Sequence, residues 1–161
     1  MRVRVVRRSG KGRYAREEEP EIGLTSEEKA GLVARAADAK KARDLVLLDL
    51  RGLTLMADYF IICCGTSTTH VRTLADSVNE MMKQHGMGGI RVEGYDSAQW
   101  VLMDYGDVVV HVMDPEKREY YGLETFWSDA PHVTLDELPV VGDDEGYGRS
   151  KSSDEQRPAD A

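Results

Sequence analysis

The chain has 161 residues, of which 41% are hydrophobic, and this length and composition are typical of a single domain with a packed core. No apolar run approaches the roughly 20 residues that a membrane helix needs, and the mean hydropathy is -0.46, so no membrane protein is expected. The net charge of -8 makes the chain as a whole a poor ligand for nucleic-acid phosphates and favours a basic protein partner.

The first elements along the chain are predicted to be one helix and two strands. Thr25 and Glu28 stand three residues apart, as in a capping box, and apolar residues at helical spacing continue to about Lys41. Residues 44–50 and 58–64 are nearly continuous apolar runs, which are typical of strands buried on both faces. We therefore expect one capped helix followed by two core strands.

The next helix is predicted from residue 67 to residue 86. Its apolar side chains recur at steps of three and four, and Gly86 is suited to end it. Residues 90–94 then alternate apolar and charged side chains, as a half-buried strand does. The helix is long enough to cross the sheet, which permits a parallel pair of strands.

Two further strands and a third helix complete the predicted domain. Residues 100–105 and 108–113 are strand-like, and the Gly-Asp pair at 106–107 suits a hairpin turn between them. The Asp-Pro pair at 114–115 resembles a helix start. A crossover together with a hairpin predicts the fold class α/β (α+β), with a mixed five-stranded sheet flanked by helices.

Charge is distributed unevenly along the chain. Residues 1–16 hold seven basic side chains and no acidic one, residues 17–134 hold eleven basic and 21 acidic, and residues 135–161 hold three basic and eight acidic. The acidic middle suits a basic partner. The basic N-terminal arm is interpreted as a solvated leader, with weak contact to RNA or an organellar transit peptide as the alternatives.

These patterns predict three parts along the chain. Residues 1–23 lack sustained periodicity and are interpreted as a flexible leader, residues 24–132 as one domain, and residues 133–161 as an acidic disordered tail. No apolar stretch follows the charged N-terminus, so no secretory signal is predicted.

Cysteine or histidine chemistry is not predicted. Cys63 and Cys64 are adjacent, so they cannot join distant segments, and no third Cys is present to build a metal cage. We interpret them as small apolar strand residues in a reducing cytoplasm, so a cytoplasmic location is expected. The histidines lack the spacing of a metal site, and no metal or cofactor is expected at them: His70, His85, His111 and His132.

The Gly-Thr-Ser turn at 65–67 raises the alternative of a nucleotidyltransferase-like enzyme. It lies between a strand and a helix, where backbone N–H groups can hold phosphate. Such enzymes place paired carboxylates on the following strand to hold two metal ions. Here that strand offers Glu93 alone, beside Arg91, while Asp104 and Asp107 are separated by a turn. An enzyme is therefore not expected.

The strand that begins at Trp100 carries the strongest candidate for binding a partner. In a regular strand Trp100, Leu102 and Asp104 share one face, while the residues between them and Tyr105 share the other. One face must pack on the core, and an exposed one would present an aromatic anchor of the kind found at interface hot spots. From spacing alone, Trp100 is either such an anchor or a core residue.

The sequence resembles the ribosomal silencing factor family, also called Iojap-like, over about residues 25–130. The stretch from Trp100 to Val112 is the most specific part of the resemblance. The matching stretches are Asp58-Tyr59-Phe60-Ile61, Gly65-Thr66-Ser67, Glu93-Gly94, Trp100-Val101-Leu102-Met103-Asp104-Tyr105-Gly106-Asp107-Val108-Val109-Val110-His111-Val112, Arg118, Tyr121, Leu123-Glu124 and Trp127.

The resemblance implies a fold similar to a nucleotidyltransferase core that lacks the catalytic carboxylates. It also implies a translation repressor that binds the large ribosomal subunit through its fourteenth protein and so prevents association with the small subunit when nutrients are scarce. Family members are often dimeric when free. Carried over by position, the contact surface should centre on Trp100, Leu102, Asp104 and Tyr105, with Glu93, Asp107 and Arg118 as weaker candidates.

Overall fold

The computed structural model describes residues 23–88 and 91–141. The first eight helices and strands follow one another in the predicted order, and a four-residue helix and a two-residue strand that were not predicted come after them. The helices are α1 (Ser26–Ala39), α2 (Thr68–Gln84), α3 (Pro115–Tyr121) and α4 (Leu123–Phe126). The strands are β1 (Arg43–Asp49), β2 (Tyr59–Cys64), β3 (Arg91–Glu93), β4 (Trp100–Asp104), β5 (Val108–Met113) and β6 (His132–Val133).

Side-chain caps begin the three longer helices. The capping box at α1 is confirmed, because the Thr25 hydroxyl accepts the Glu28 N–H and the Glu28 carboxylate accepts the Thr25 N–H. Ser67 caps α2 by accepting the N–H of His70. Asp114 caps α3 with proline at its first position, as predicted. These local contacts fix where each helix leaves the sheet.

The sheet is mixed, as predicted, and its strands lie in the order β3-β4-β5-β2-β1-β6. The parallel pair is β2 with β5, and the other neighbouring strands are antiparallel. The predicted number of five strands is wrong, because β6 adds a sixth strand beside β1. At two residues β6 is too short to show any periodicity, and only its tertiary pairing defines it.

The two faces of the sheet are covered differently. The first face carries Tyr59, Ile61 and Val110 and lies beneath α1 and α2 in the larger core. The second face carries Phe60, Ile62 and Met113 in a smaller core, against which side chains from α4 and the chain just after it pack. The short helices α3 and α4 contribute no buried residue. The second face is therefore the one with side chains left at the surface.

The packed domain extends past the predicted boundary at residue 132. Leu138 is buried in the larger core, and Arg35 of α1 donates hydrogen bonds to the carbonyl oxygens of Leu135, Leu138 and Pro139. The acidic composition of this segment suggested a tail, but tertiary contacts with α1 hold residues 133–141 in place. The predicted leader, apart from Gly23, and residues 142–161 of the predicted tail lie outside the described residues.

Within the described ranges, no helix is both long enough and apolar enough to cross a membrane.

Gly94 lies just before the loop that leads into β4, and its backbone packs closely against the backbone of Trp100. Its φ is +82°, and an added Cβ would collide with the carbonyl oxygen of Trp100. Gly86 has the similar φ of +81°, but open space surrounds its Cβ position. Gly86→Ala should therefore lower the free energy of unfolding by only about 1–2 kcal/mol, the cost of left-handed backbone.

Gly94→Ala should lower the free energy of unfolding by roughly 3 kcal/mol or more, because the backbone collision adds to the conformational cost. Urea unfolding of the two variants and the parent chain measures both losses. Equal losses would show that the carbonyl of Trp100 is not held against Gly94.

Candidate partner-binding surface

The side chains of β4 alternate between the core and the surface. Val101 and Met103 are buried on the first face, whereas Trp100, Leu102 and Asp104 are half-buried on the second. The sequence left open which of these rows reaches the surface. The structure places the row of Trp100, Leu102 and Asp104 there.

Trp100 is held between two neighbouring rings. Its indole N–H donates to Nδ1 of His111 at 3.1 Å, and its ring centroid lies 4.7 Å from that of Tyr121 at an interplanar angle of 47°. Tyr121 in turn meets Tyr120 edge-on at 4.9 Å. The anchor predicted from β4 therefore continues onto α3.

The rings around Trp100 form one connected row across the second face. From Trp100 the contacts run through the buried His111 and Phe60 to Trp127 and Phe126. We call the whole set the aromatic row, and in contact order its members are Tyr120, Tyr121, Trp100, His111, Phe60, Trp127 and Phe126. The middle of this row is buried, and its two ends are exposed.

The exposed ends of the aromatic row were not predicted as site residues. Tyr120 is 79% exposed, Tyr121 50% and Phe126 75%. Their signal in the sequence was an apolar cluster after a proline-started helix, and such a cluster is normally assigned to the core. The helices are seven and four residues long and cannot turn so many rings inward, so several remain at the surface.

Acidic side chains lie on the same face as Leu102. The register of β3 on β4 pairs Glu93 with Leu102 and Arg91 with Asp104, so all four point to the second face. Arg91 lies 3.2 Å from a carboxylate oxygen of Glu93 and 3.6 Å from one of Asp104. The N–H of Gly106 also fixes the Asp104 carboxylate at 2.8 Å. Two of the predicted acids therefore border the aromatic row.

Two predicted contact residues lie elsewhere. Tyr105 is 5% exposed and packs in the larger core, because the alternation along β4 turns it away from Trp100. Burial raises the pKa of its phenol to about 12, and the hydroxyl meets no hydrogen-bond partner within the described ranges. Asp107 forms a 2.8 Å ion pair with Lys29 of α1. The expectation that Tyr105 shares a surface with Trp100 is corrected.

Arg118 is occupied within the domain. It makes two hydrogen bonds to the Glu124 carboxylate, of 2.9 and 2.8 Å, and a third contact of 3.4 Å to the Cys64 sulfur. These hydrogen bonds hold the pKa of Glu124 below its usual range. Arg118 therefore ties α3 to α4 and the sheet. It was predicted as a weaker contact residue, but its guanidinium faces inward and it supports the tyrosines of α3 instead.

Two of the three backbone N–H groups in the turn at 65–67 are already engaged. The N–H of Gly65 donates to the Met113 carbonyl, and that of Thr66 donates to Nδ1 of His70 at 2.9 Å. In the part of the chain that the structure describes, no three His, Cys, Asp or Glu side chains group as metal ligands. Cys63 and Cys64 are both buried, and burial raises the pKa of Cys63 to about 12.

Comparison with known proteins gives consistent matches in sequence and in fold. The family described as "Ribosomal silencing factor during starvation" matches residues 24–161. The protein named Ribosomal silencing factor RsfS in Bacillus subtilis (strain 168) is 45% identical over 105 residues, which cover 65% of this chain and 89% of that protein.

Further relatives agree with that match. The protein of the same name in Halalkalibacterium halodurans is 42% identical over 113 residues, which cover 70% of this chain and 97% of that protein. A crystal structure of a protein from Chromobacterium violaceum matches with a TM-score of 0.63 and 38% identity, and the match covers 65% of this chain and 88% of that one.

Acidification should test the neutral state of His111. Burial lowers its pKa from 6.5 to about 4. Between these two pH values the unfolded chain binds a proton that the folded chain does not bind. The free energy of unfolding should therefore fall by about 3 kcal/mol as the pH drops from 7 to 4, through this residue alone.

The His111→Phe variant is the matched control, because it retains the other three histidines and all carboxylates. Urea unfolding at both pH values should show a smaller loss of stability in the variant than in the parent chain. Equal losses would mean that His111 titrates alike in the folded and unfolded states.

Proposed function

Because this chain belongs to the ribosomal silencing factor family, we propose that it binds the large ribosomal subunit and prevents the small subunit from joining. We propose further that it docks on the fourteenth protein of the large subunit and represses translation when nutrients are limited. The description of the matching family, which names starvation, supports the link to nutrient limitation. The acidic middle region of this chain supports a basic partner of this kind.

The surface around Trp100 is the observation that carries the proposal. Aromatic side chains are the most frequent anchors of protein interfaces, and soluble domains rarely leave several of them exposed side by side. Here the rings of Trp100 and Tyr121 are in tilted contact at the surface, with Leu102 beside them on the same sheet face. Contact with a partner would remove these rings from water.

The acids beside the aromatic row supply the second part of the recognition. Glu93 and Asp104 flank Leu102 on the second face and share one cation, Arg91. Lysine and arginine side chains of a basic ribosomal protein can compete for these carboxylates and can also pack on the exposed rings. Such a surface combines an apolar anchor with a charged rim, the usual arrangement in specific interfaces.

Steric exclusion needs affinity and bulk but no chemistry. A standard interface takes about 800 Å² from each partner, and the remainder of a domain this size then projects from the subunit face. If that face is the one that meets the small subunit, the two partners compete for it, and bound protein lowers the fraction of joined ribosomes by mass action. The proposed function therefore requires no enzymatic activity.

No observation within the described ranges favours the nucleotidyltransferase alternative. In the turn at 65–67, backbone N–H groups already donate hydrogen bonds to Met113 and His70. Glu93 is paired with Arg91 at the exposed end of the sheet. A weak contact of the basic leader with ribosomal RNA, a homodimer in the free state and a cytoplasmic location stay predictions from the sequence.

Trp100→Ala tests the surface directly. The change removes the ring that packs against Tyr121, so affinity for purified large subunits should fall about 30-fold, or ~2 kcal/mol, as for an interface anchor. Co-sedimentation with large subunits over a range of protein concentrations measures the affinity.

Tyr105→Phe is the matched control for that experiment. It removes a buried hydroxyl that meets no partner within the described ranges. Tyr105 lies directly after β4 and packs in the larger core, so this change should leave the affinity unchanged. A circular-dichroism melt of each variant checks that the fold is kept. A folded Trp100→Ala protein with full affinity would place the contact elsewhere.

A further inference from the structure

His111 is an unusual residue for its position. The other five residues of β5 are valine or methionine. Apart from tyrosines and cysteines, His111 is the one polar or charged side chain among the described residues that is buried. It is 3% exposed and lies directly opposite Leu102 in the register of β4 on β5. A strand selected for core packing alone would be expected to carry an apolar residue here.

The two ring nitrogens of His111 have unequal surroundings. Nδ1 lies 3.1 Å from the indole nitrogen of Trp100, whereas Nε2 meets no hydrogen-bond partner within the described ranges. An indole N–H can only donate, so Nδ1 must accept and the proton of the neutral ring must be on Nε2. Burial keeps the ring neutral, since it lowers the pKa of His111 to about 4.

The unpaired Nε2 indicates that His111 is not there for stability. A buried N–H without a partner is unfavourable, and an apolar ring would avoid that cost. The benefit of the histidine must then lie in Nδ1, whose contact is with Trp100. Trp100 is half-buried, so this contact reaches the surface of the domain. Trp100 belongs to the proposed docking surface, by which we mean the aromatic row together with Leu102, Glu93 and Asp104.

The hydrogen bond to His111 limits how the indole of Trp100 can sit. Without it, a half-buried indole could turn its N–H to water and change the ring face that it presents. With it, Trp100 is fixed from one side by His111 and from the other by Tyr121. An anchor already in its bound orientation loses less conformational entropy on docking.

We propose that His111 is the positioning residue of the docking surface: its Nδ1 accepts the indole N–H and holds Trp100 in the orientation that the ribosomal partner meets. This inference rests on the proposed function. It adds that the partner meets the faces and edge of the indole, since its only polar hydrogen is already bound. His111 itself does not touch the partner.

The test compares three substitutions of His111. Phe keeps an aromatic ring and lacks an acceptor. Asn places an amide oxygen near the position of Nδ1, and Gln places its amide nearer to Nε2. His111→Phe and His111→Gln should weaken binding to large subunits about ten-fold, the value of one neutral hydrogen bond. His111→Asn should stay within about three-fold of the parent chain.

An NMR measurement of the indole N–H in the free protein shows whether a substitution changes the orientation of Trp100 or disturbs the whole fold. With ¹⁵N-labelled tryptophan the chain gives two indole N–H signals, and Trp100→Phe assigns the one from Trp100. His111→Phe should shift that signal and speed its exchange with water, while His111→Asn should restore it. The melting temperature of His111→Phe at pH 7 should not fall.

A double-variant cycle completes the test. In a Trp100→Phe background there is no indole N–H to hold, so adding His111→Phe should change the affinity less than two-fold, whereas two independent sites would each keep their full effect. An unchanged indole signal in His111→Phe would overturn the proposal, and so would a shifted signal with full affinity. An equal loss of affinity in the Trp100→Phe background would do the same.

Failure of the inference can be told from failure of the proposed function. If Trp100→Ala weakens binding while His111→Phe and His111→Gln do not, the docking surface stands and the positioning role is wrong. If no variant of Trp100 affects binding, the docking surface itself is wrong and the inference falls with it. If His111→Phe does not fold, the comparison of His111→Gln with His111→Asn decides the positioning role.

Discussion

The antiparallel register of β4 on β5 determines what the domain presents to a partner. In this register Leu102 lies opposite His111 and Trp100 lies opposite Met113, so the row of Trp100, Leu102 and Asp104 reaches the second face. A slip of one residue would exchange that row with the buried residues between them. The hairpin turn fixes the register at one end, and the bond from Trp100 to His111 ties the two strands together at the surface. The position of the half-buried Trp100 at the surface is thus a direct product of strand pairing.

The second face combines a rigid support with an incomplete cover. Arg118 binds both oxygens of Glu124 and contacts Cys64, so the short helices cannot drift from the sheet. Those helices are still too short to bury their own aromatic residues, which leaves rings of the aromatic row in water. Incomplete burial costs stability in the free protein and supplies apolar area for docking. No step of the proposed function requires a reacting group, and affinity and bulk suffice.

Local signals in the sequence predicted much of the fold. The capping box of Thr25 and Glu28, the continuous apolar strands and the Asp-Pro helix start each depend on neighbours a few residues away. The features that the sequence did not predict depend on contacts between residues far apart in the chain. A two-residue strand has no period, and the carbonyl oxygens that Arg35 binds give no sign in composition. Alternation alone would have separated Tyr105 from Trp100, yet both were carried over from the family resemblance without regard to their faces. The aromatic row joins β2, β4, β5, α3, α4 and Trp127 just beyond α4, and only the folded chain brings its members together.

Subunit joining tests the central claim most directly. Purified large and small subunits would be mixed under joining conditions with increasing amounts of this protein and separated on a sucrose gradient. If the protein silences sterically, it should sediment with the large subunit, and the peak of joined ribosomes should fall as free large and small subunits rise. An undiminished joined peak at protein concentrations that saturate the large subunit would contradict steric silencing, even if the protein binds.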